Sequence, residues 1–481
     1  MSQTSIPPTA QGAKGASRRA EHATVDERKL RGKNARAALP RSAHAAYEPW
    51  SGRPDPVDLL EEQGRTRVAE LVPIRYGRML VSPFTFYRGA AYLMASDLSA
   101  LPRTDLHTQL CGDAHLSNFG GFAAPDRRLV FSINDFDETL PGPFEWDVKR
   151  LVTSFEVASR DRGFGDKERR SITVAAGRAY REAMVGFAGR GNLELWYTRI
   201  DIEQMLLEAR RVGTSKELKR AKKNIERART KDSLKAFSKL TELVDGEPRI
   251  ISDPPVLTPV EDVAGAAAHD VEELLQNVIR SYRTTLNDDR RLLLERYRYV
   301  HAARKVVGVG SVGTRAWIML LLGRDSDDPL FLQFKEAEAS VLEPFLGKST
   351  YDHHGQRVVE GQRLTQAASD IMLGWTRTDA VEGVQRDFYV RQLWDAKGSA
   401  MVEILEPTAL AYIARVCGTE LARAHARSGD SLAIASYLGS SDAFEQAVAA
   451  FAVSYADQNE RDYAALKAAV ESGRVKAETG V

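Results

Sequence analysis

The sequence predicts an α+β protein of two lobes, one mostly helical and one built on a small antiparallel sheet, with large helical additions. Three observations lead there. Two strand-like segments, "HTQLCGD" and "RRLVFSINDFD", flank a Pro-Asp turn at 125–126 and carry acids at both ends. A second β-rich stretch, "KVVGVGSVGTRAWIMLLLGRDSDDPLFLQFKEAEAS", reads as strand, glycine turn, strand, acidic turn, strand. Most of the remaining chain has helical periodicity.

Of 481 residues, 43% are hydrophobic and 28% charged, enough for packed cores in two to four domains of ~150 residues. A net charge of +1 argues against broad nucleic-acid binding, which needs a basic face. The longest apolar run, "AWIMLLLG", is far short of the ~20 residues that span a bilayer, and the polar N-terminus lacks a secretory pattern. A cytoplasmic protein with no membrane partner is expected, its two cysteines, Cys111 and Cys417, reduced.

In chain order, residues 1–45 hold nine Lys/Arg against three Asp/Glu and are expected to form a disordered basic arm, the one place where nucleic acid would bind. Residues 46–300 are expected to form the helical lobe with its hairpin. They read as a short helix, strand-like text at "RMLVSPFTFYRG", a helix at "AAYLMASDLSAL", the hairpin, and helices over 145–190 and 197–245. The second helical region is dense in Lys and Arg, the usual sign of a solvated face. A Pro-rich break, "DGEPRIISDPPVLTPVED", precedes a helix over roughly 268–303. Residues 301–400 form the glycine-turn sheet, a helix at "QRVVEGQRLTQAASDIML" and a strand at "RDFYVRQLWD". Residues 401–481 are helical and are expected to complete the helical lobe.

The acidic hairpin suggests chemistry. Phosphoryl transfer needs a carboxylate for the attacking hydroxyl and oxygen ligands for Mg²⁺. In protein kinases the catalytic-loop Asn follows the Asp by five residues, and a second Asp heads "DFG". Here Asn118 follows Asp113 by five, and Asp135 heads "DFD" 22 residues after Asp113. Asp113 is therefore the expected catalytic carboxylate, with His115 on the same side of an extended loop. Asn118, Asp135 and Asp137 are the expected metal ligands. Singly, each is ordinary turn chemistry; order and spacing together carry the reading. Asp147, in "GPFEWDVKRL", falls at a helix start, either bonding the loop from behind or acting at the helix N-terminus.

Gly308, Gly310 and Gly313 match G-x-G-x-x-G. A dinucleotide site would need a helix next and an acid about twenty residues on. Instead "TRAWIMLLLG" ends in the turn "RDSDDP". A glycine loop between two strands, with Lys335 on a third, is the arrangement in which a kinase covers and holds nucleotide phosphates. Glu360 is the expected partner of Lys335, with Glu338 and Glu343 as alternatives. "FYVRQLWDAKG" would lead into the hinge that meets adenine, with Arg391, Gln392 and Lys397 facing a ligand or covering an edge strand. Arg75, Arg78 and Arg88 either bind an anionic acceptor or are surface arginines.

The glycine loop follows the catalytic hairpin here, whereas in a kinase it precedes it. The expected architecture is therefore a protein-kinase-like two-lobe fold with permuted chain order, which the closeness of domain termini permits. "CGTELARAHARSGD" then fits the long helix before the catalytic loop.

Together "CGDAHLSNFG", "INDFDET", "GPFEWDVKRL", "KVVGVGSVGTR", "FLQFKEA" and "RVVEGQRLTQAASDIMLGW" resemble a bacterial family, domain of unknown function 2252, from about residue 45 onward. "GDAHLSN" and "NDFDE" more distantly resemble aminoglycoside and choline phosphotransferases. That resemblance implies Asp113 as catalytic Asp, with Asn118 and Asp135 as metal ligands, and places Cys111 where those enzymes carry His. The function expected is ATP- and Mg²⁺-dependent phosphoryl transfer to a small-molecule acceptor. The alternatives are nucleotidyl transfer to a protein (AMPylation), a non-catalytic nucleotide-binding protein, and a dinucleotide-dependent enzyme.

Overall fold

The structure, a computed structural model, describes residues 23–211, 215–229, 233–264, 268–306, 308–378, 383–393, 398–399 and 404–480. It mixes helices with antiparallel sheets. The strands are β1 (His107–Leu110), β2 (Phe119–Ala123), β3 (Leu129–Ile133), β4 (Leu140–Pro143), β5 (Ile200–Asp201), β6 (Thr241–Val244), β7 (Glu247–Ile250), β8 (Leu257–Pro259), β9 (Arg298–Lys305), β10 (Ala316–Leu322), β11 (Pro329–Ala337), β12 (Gly374–Thr378), β13 (Arg386–Gln392) and β14 (Gly398–Ser399).

The largest sheet has the order β12-β13-β11-β10-β9-β8, and β14-β2-β3-β5 form a second. The expected hairpin of "HTQLCGD" with "RRLVFSINDFD" does not form: across the 125–126 turn β3 pairs with β2, a strand the glycines of "FGGFA" hid, while β1 pairs with β4, which brings the Asp113 and Asp137 ends together. One face of the large sheet, through Met319, Leu332, Phe334 and Val390, packs on helix Ala268–Arg283. The helical core joins Phe144–Asp161 and Asp166–Ala188 to the C-terminal helices Pro407–Ser428 and Ala443–Glu471. These stretches fold together because each carries an apolar stripe that the others cover.

Several expectations need correction. "RMLVSPFTFYRG" is helical, as Val72–Met79 and Pro83–Gly89. Its aromatics favour strand, but Ser82 caps the second helix by accepting from Thr85 N–H, and Pro83 sits in the first turn where no N–H is needed. The helix expected over 268–303 stops at Arg283; a short helix Asp288–Leu294 follows, then β9. The basic arm does not run to residue 45. Residues 1–22 lie outside the described residues, but Val25–Ala38 is a helix with a Thr24–Glu27 capping box, bonded through Arg28 to Asp430. Both cysteines are buried free thiols, and no described helix is long and apolar enough to cross a membrane.

Candidate active site

The loop after β1 is held from behind. Gly112 has φ +83°, and a Cβ there would collide with the Glu138 carbonyl oxygen. The backbone N–H groups of Cys111 and Gly112 donate to Asp147 Oδ2 and Oδ1 at 2.8 and 3.1 Å. His425 Nε2 lies 3.2 Å from Asp147 Oδ2, and the Tyr180 hydroxyl 2.9 Å from His425 Nδ1. Asp147 is only 2% exposed, so this chain of bonds is buried. Of the two roles expected for it, bonding the loop is the one observed. Cys111 presents its N–H to Asp147, and burial pushes its thiol well up, so it remains a neutral apolar filler.

Asp113 projects from this loop with its side chain 20% exposed. Arg150 Nε donates to its Oδ1 at 2.9 Å. Burial pushes the Asp113 carboxyl up, and Arg150 pulls it part of the way back. His115 is buried, its Nε2 3.6 Å from Asp113 Oδ2, beyond hydrogen-bond reach. Burial holds its imidazole well below the usual range, hence neutral. Arg150, unread in the sequence, is thus the charged partner of Asp113. The signal was present: Arg150 is three residues after Asp147 on one helix, so both face the loop.

Asn118 Nδ2 donates to the Asp113 carbonyl at 2.9 Å, which turns its amide oxygen the other way. Asp135 Oδ1 accepts from Asp137 N–H at 3.2 Å. Burial, then the neighbouring Asp137, raises the Asp135 carboxyl. Asp137 behaves differently from expectation. Its Oδ2 accepts from Lys335 Nζ and its Oδ1 from the Tyr389 hydroxyl at 2.8 Å, so both oxygens are engaged and it is not a free metal ligand. Burial works against its charge, but Lys335 holds it below the usual carboxylate range.

Lys335 is 2% exposed and donates to Asp137 and to Ser311 Oγ, the latter at 2.8 Å. Burial opposes its charge, yet Asp137 keeps it above the ordinary lysine range. Glu360 is not its partner: it bonds Arg363 at 3.1 Å on the outer side of helix His354–Thr365. One turn earlier, Arg357 faces inward and donates to the carbonyls of Asp137, Thr139 and Glu338 at 2.8, 2.8 and 2.7 Å. The helix therefore braces the acidic hairpin with a cation, and the hairpin braces Lys335. Among the alternatives, Glu338 accepts from Thr66 at 3.0 Å and Glu343 from Ser340 N–H at 3.4 Å; both line the cavity.

The glycine loop closes over the same place. Gly308 and Gly313 have φ +69° and +90°, and a Cβ on Gly310 would press on the Arg88 carbonyl at 3.1 Å. Arg78 donates to the Gly308 carbonyl at 2.6 Å, and Arg75 is fully buried, bonded to Gln63 and Gly89; neither lines the cavity. Arg88 lines the cavity. Arg391 bonds Gln333 and the Asn134 carbonyl, Gln392 bonds Asp370, and Lys397 lies outside the described residues.

Asp113, His115, Asn118, Asp135, Asp137, Gly308, Gly310 and Ser311 line one cavity of about 850 Å³, a size suited to a small ligand. Its floor includes Glu138, whose Oε2 accepts from Val341 N–H at 2.8 Å. Burial pushes the Glu138 carboxyl up to about 7, with the Val341 N–H and Arg357 opposing. A carboxyl raised from 4.5 to about 7 costs stability as pH climbs through that window. At about 1.4 kcal/mol per unit, the loss reaches up to about 3 kcal/mol above pH 7. Glu138→Gln is expected to flatten the pH dependence of urea unfolding between pH 4.5 and 7. An unchanged slope would mean that Glu138 is charged throughout.

A family model described as an uncharacterized protein conserved in bacteria (DUF2252) matches residues 67–469. No curated protein and no solved structure matches.

Proposed function

The chain belongs to this bacterial family, and we propose that it is an ATP- and Mg²⁺-dependent phosphotransferase acting on a small-molecule acceptor, with a kinase-like two-lobe fold in permuted order. One observation carries the reading. The third-strand Lys335 follows the catalytic-type loop and the metal-type Asp by about 200 residues in sequence, yet, buried behind the cavity, it bonds Asp137, which lines that cavity together with Asp113, Asn118 and Asp135.

The donor set fits Mg²⁺. Asn118 and Asp135 offer hard oxygens, and Mg²⁺ is commonly held by one or two side chains plus phosphates and water. Among the described residues no three His, Cys, Asp or Glu gather as a protein-only metal cage, so a metal here would share its shell with a ligand. Bound Mg²⁺ would neutralise charge on the transferring phosphoryl group. The chain's own residues do the rest. Asp113, fixed by Arg150, orients the acceptor hydroxyl and takes its proton. Lys335 and the glycine-loop backbone hold the donor phosphates, with Asp137 and Ser311 of the cavity lining fixing the ammonium beside it.

The test is Mg²⁺-dependent stabilisation by ATP, read as a thermal shift. The natural protein is expected to shift with Mg²⁺–ATP and much less with ATP alone. Asp135→Ala should lose the Mg²⁺-dependent part. No shift in the natural protein would refute the proposal.

A further inference from the structure

A nucleoside triphosphate would bring several negative charges into a cavity whose lining already holds Asp113, Asp135, Asp137 and Glu138. Lys335 meets only part of that demand. It is buried behind the lining, and its ammonium is bonded to Asp137 and Ser311. Bound Mg²⁺ would meet another part. Without a further cation on the open side, the phosphates face like charge at close range.

Among the described residues, five arginine and lysine side chains line the cavity: Arg67, Arg88, Lys348, Arg377 and Arg386. Two are already paired, Arg377 with Asp387 and Arg386 with Glu336. Lys348 is exposed, where water weakens its field. After burial, the Arg88 charge is among the influences on Asp113 and His115, so Arg88 serves the acceptor side.

Arg67 is placed differently. It comes from the segment between helix Pro56–Gly64 and the short turn Ala69–Leu71, outside the sheet, and lies along the glycine loop. Its Nη1 donates to the Val312 carbonyl, and the next residue, Val68, donates its N–H to the Gly313 carbonyl at 2.8 Å. Gly313, at φ +90°, turns its bare side to this arginine: a Cβ there would meet the Arg67 side-chain carbons at 3.0 to 3.4 Å. Thr66 donates to Glu338 at 3.0 Å, which holds the segment to the cavity wall. The rest of the guanidinium is uncommitted. Among the described residues no carboxylate stands at ion-pair distance from it, Nη2 bonds nothing, and the buried Nε has no partner. Burial works against its charge, while Glu338, Glu138 and Asp137 support it. A half-buried guanidinium with bare N–H groups is costly to keep unless something completes it.

We infer that Arg67 is a phosphate-binding residue of the donor site, its guanidinium gripping the nucleotide's phosphate oxygens from the cavity side while Lys335 serves them from behind. The inference rests on the proposed donor site and adds to it a cation from outside the sheet. Arginine suits the place. Its planar fork holds a loop carbonyl with one nitrogen and leaves another for a phosphate oxygen. Fixed to Val312 and packed on Gly313, the charge and the loop backbone reach the phosphates together.

The experiment titrates Mg²⁺–tripolyphosphate and a non-hydrolysable Mg²⁺–ATP analogue calorimetrically into the natural chain, Arg67→Gln and Arg67→Lys. Gln can still donate to the Val312 carbonyl but carries no charge, whereas Lys keeps the charge. Arg67 is only half-buried, so both variants are expected to fold. Both probes should bind Arg67→Gln about 10- to 100-fold more weakly, the worth of a hydrogen bond to a charged group, and Arg67→Lys less than about tenfold more weakly. Amide hydrogen exchange over 308–314 in the unliganded proteins reads the loop, and should be alike in the two variants. Equal binding of both probes by the natural chain and Arg67→Gln would overturn the inference and leave the donor-site reading intact. So would equal weakening in both variants with faster exchange over 308–314, which marks Arg67 as a pin for the loop alone. If neither probe binds the natural chain, the donor site falls and this inference with it.

Discussion

Asp113→Asn is expected to slow phosphoryl transfer by about 10²–10⁴-fold, the usual worth of a positioned proton acceptor, while leaving Mg²⁺–ATP binding near its natural strength. The assay is ADP release from Mg²⁺–ATP in the presence of a small-molecule filtrate of bacterial cells, with thermal shift reporting binding. The separation follows from the geometry. The Asp113 side chain meets Arg150, while Asn118 and Asp135 supply the oxygens suited to a metal. Asn keeps the shape and an acceptor oxygen for Arg150 but cannot take a proton. pH supplies a second reading. Burial raises the Asp113 carboxyl, so the natural enzyme should lose activity on the acid side above the pH at which an ordinary Asp protonates. The residual activity of Asp113→Asn should lack that acid limb. Equal loss of binding and rate would instead mark Asp113 as part of the nucleotide site.

Short-range relations were the legible part of this chain. The five-residue spacing from Asp113 to Asn118, the turn at 125–126 and the three strands around the glycine loop all depend on neighbours, and the structure forms that turn and those strands, though β3 pairs across the turn with β2 and not with "HTQLCGD". The Lys335 partner was not legible. The helix His354–Thr365 was readable, but which face it turns inward depends on its docking against the hairpin. The structure turns Arg357 in and Glu360 out, and the role expected for Glu360 falls to Asp137. The packing of helix Ser233–Leu240 on β9–β11 was also hidden. "SLKAFSKL" has one apolar side too short to name its partner, and the apolar strip beneath it comes from strands beginning at Arg298, well downstream. In "RMLVSPFTFYRG", residues 78–89, the aromatic residues outweigh the Ser82–Pro83 start signal, so the sequence reads as strand where helix Pro83–Gly89 forms.

Asp147→Ala should produce the largest loss of stability among the site's residues, about 3 to 5 kcal/mol, the range seen when one partner of a buried polar pair is removed. Three groups depend on its carboxylate, the N–H groups of Cys111 and Gly112 and the His425 imidazole, and water cannot readily replace it at 2% exposure. Their sources explain the size of the effect. Asp147 stands in the first turn of Phe144–Asp161, the loop follows β1, and His425 belongs to Pro407–Ser428 near the other end of the chain. One carboxylate thus ties the C-terminal helices to the loop that carries Asp113. Urea unfolding should show the drop, with Asp147→Asn intermediate because its amide retains one acceptor oxygen. Tyr180→Phe, which removes only the bond to His425 Nδ1, should cost about 0.5 to 1.5 kcal/mol. If Asp147→Ala instead unfolds at nearly the natural urea concentration while activity falls, the carboxylate positions the loop without holding the two ends of the chain together.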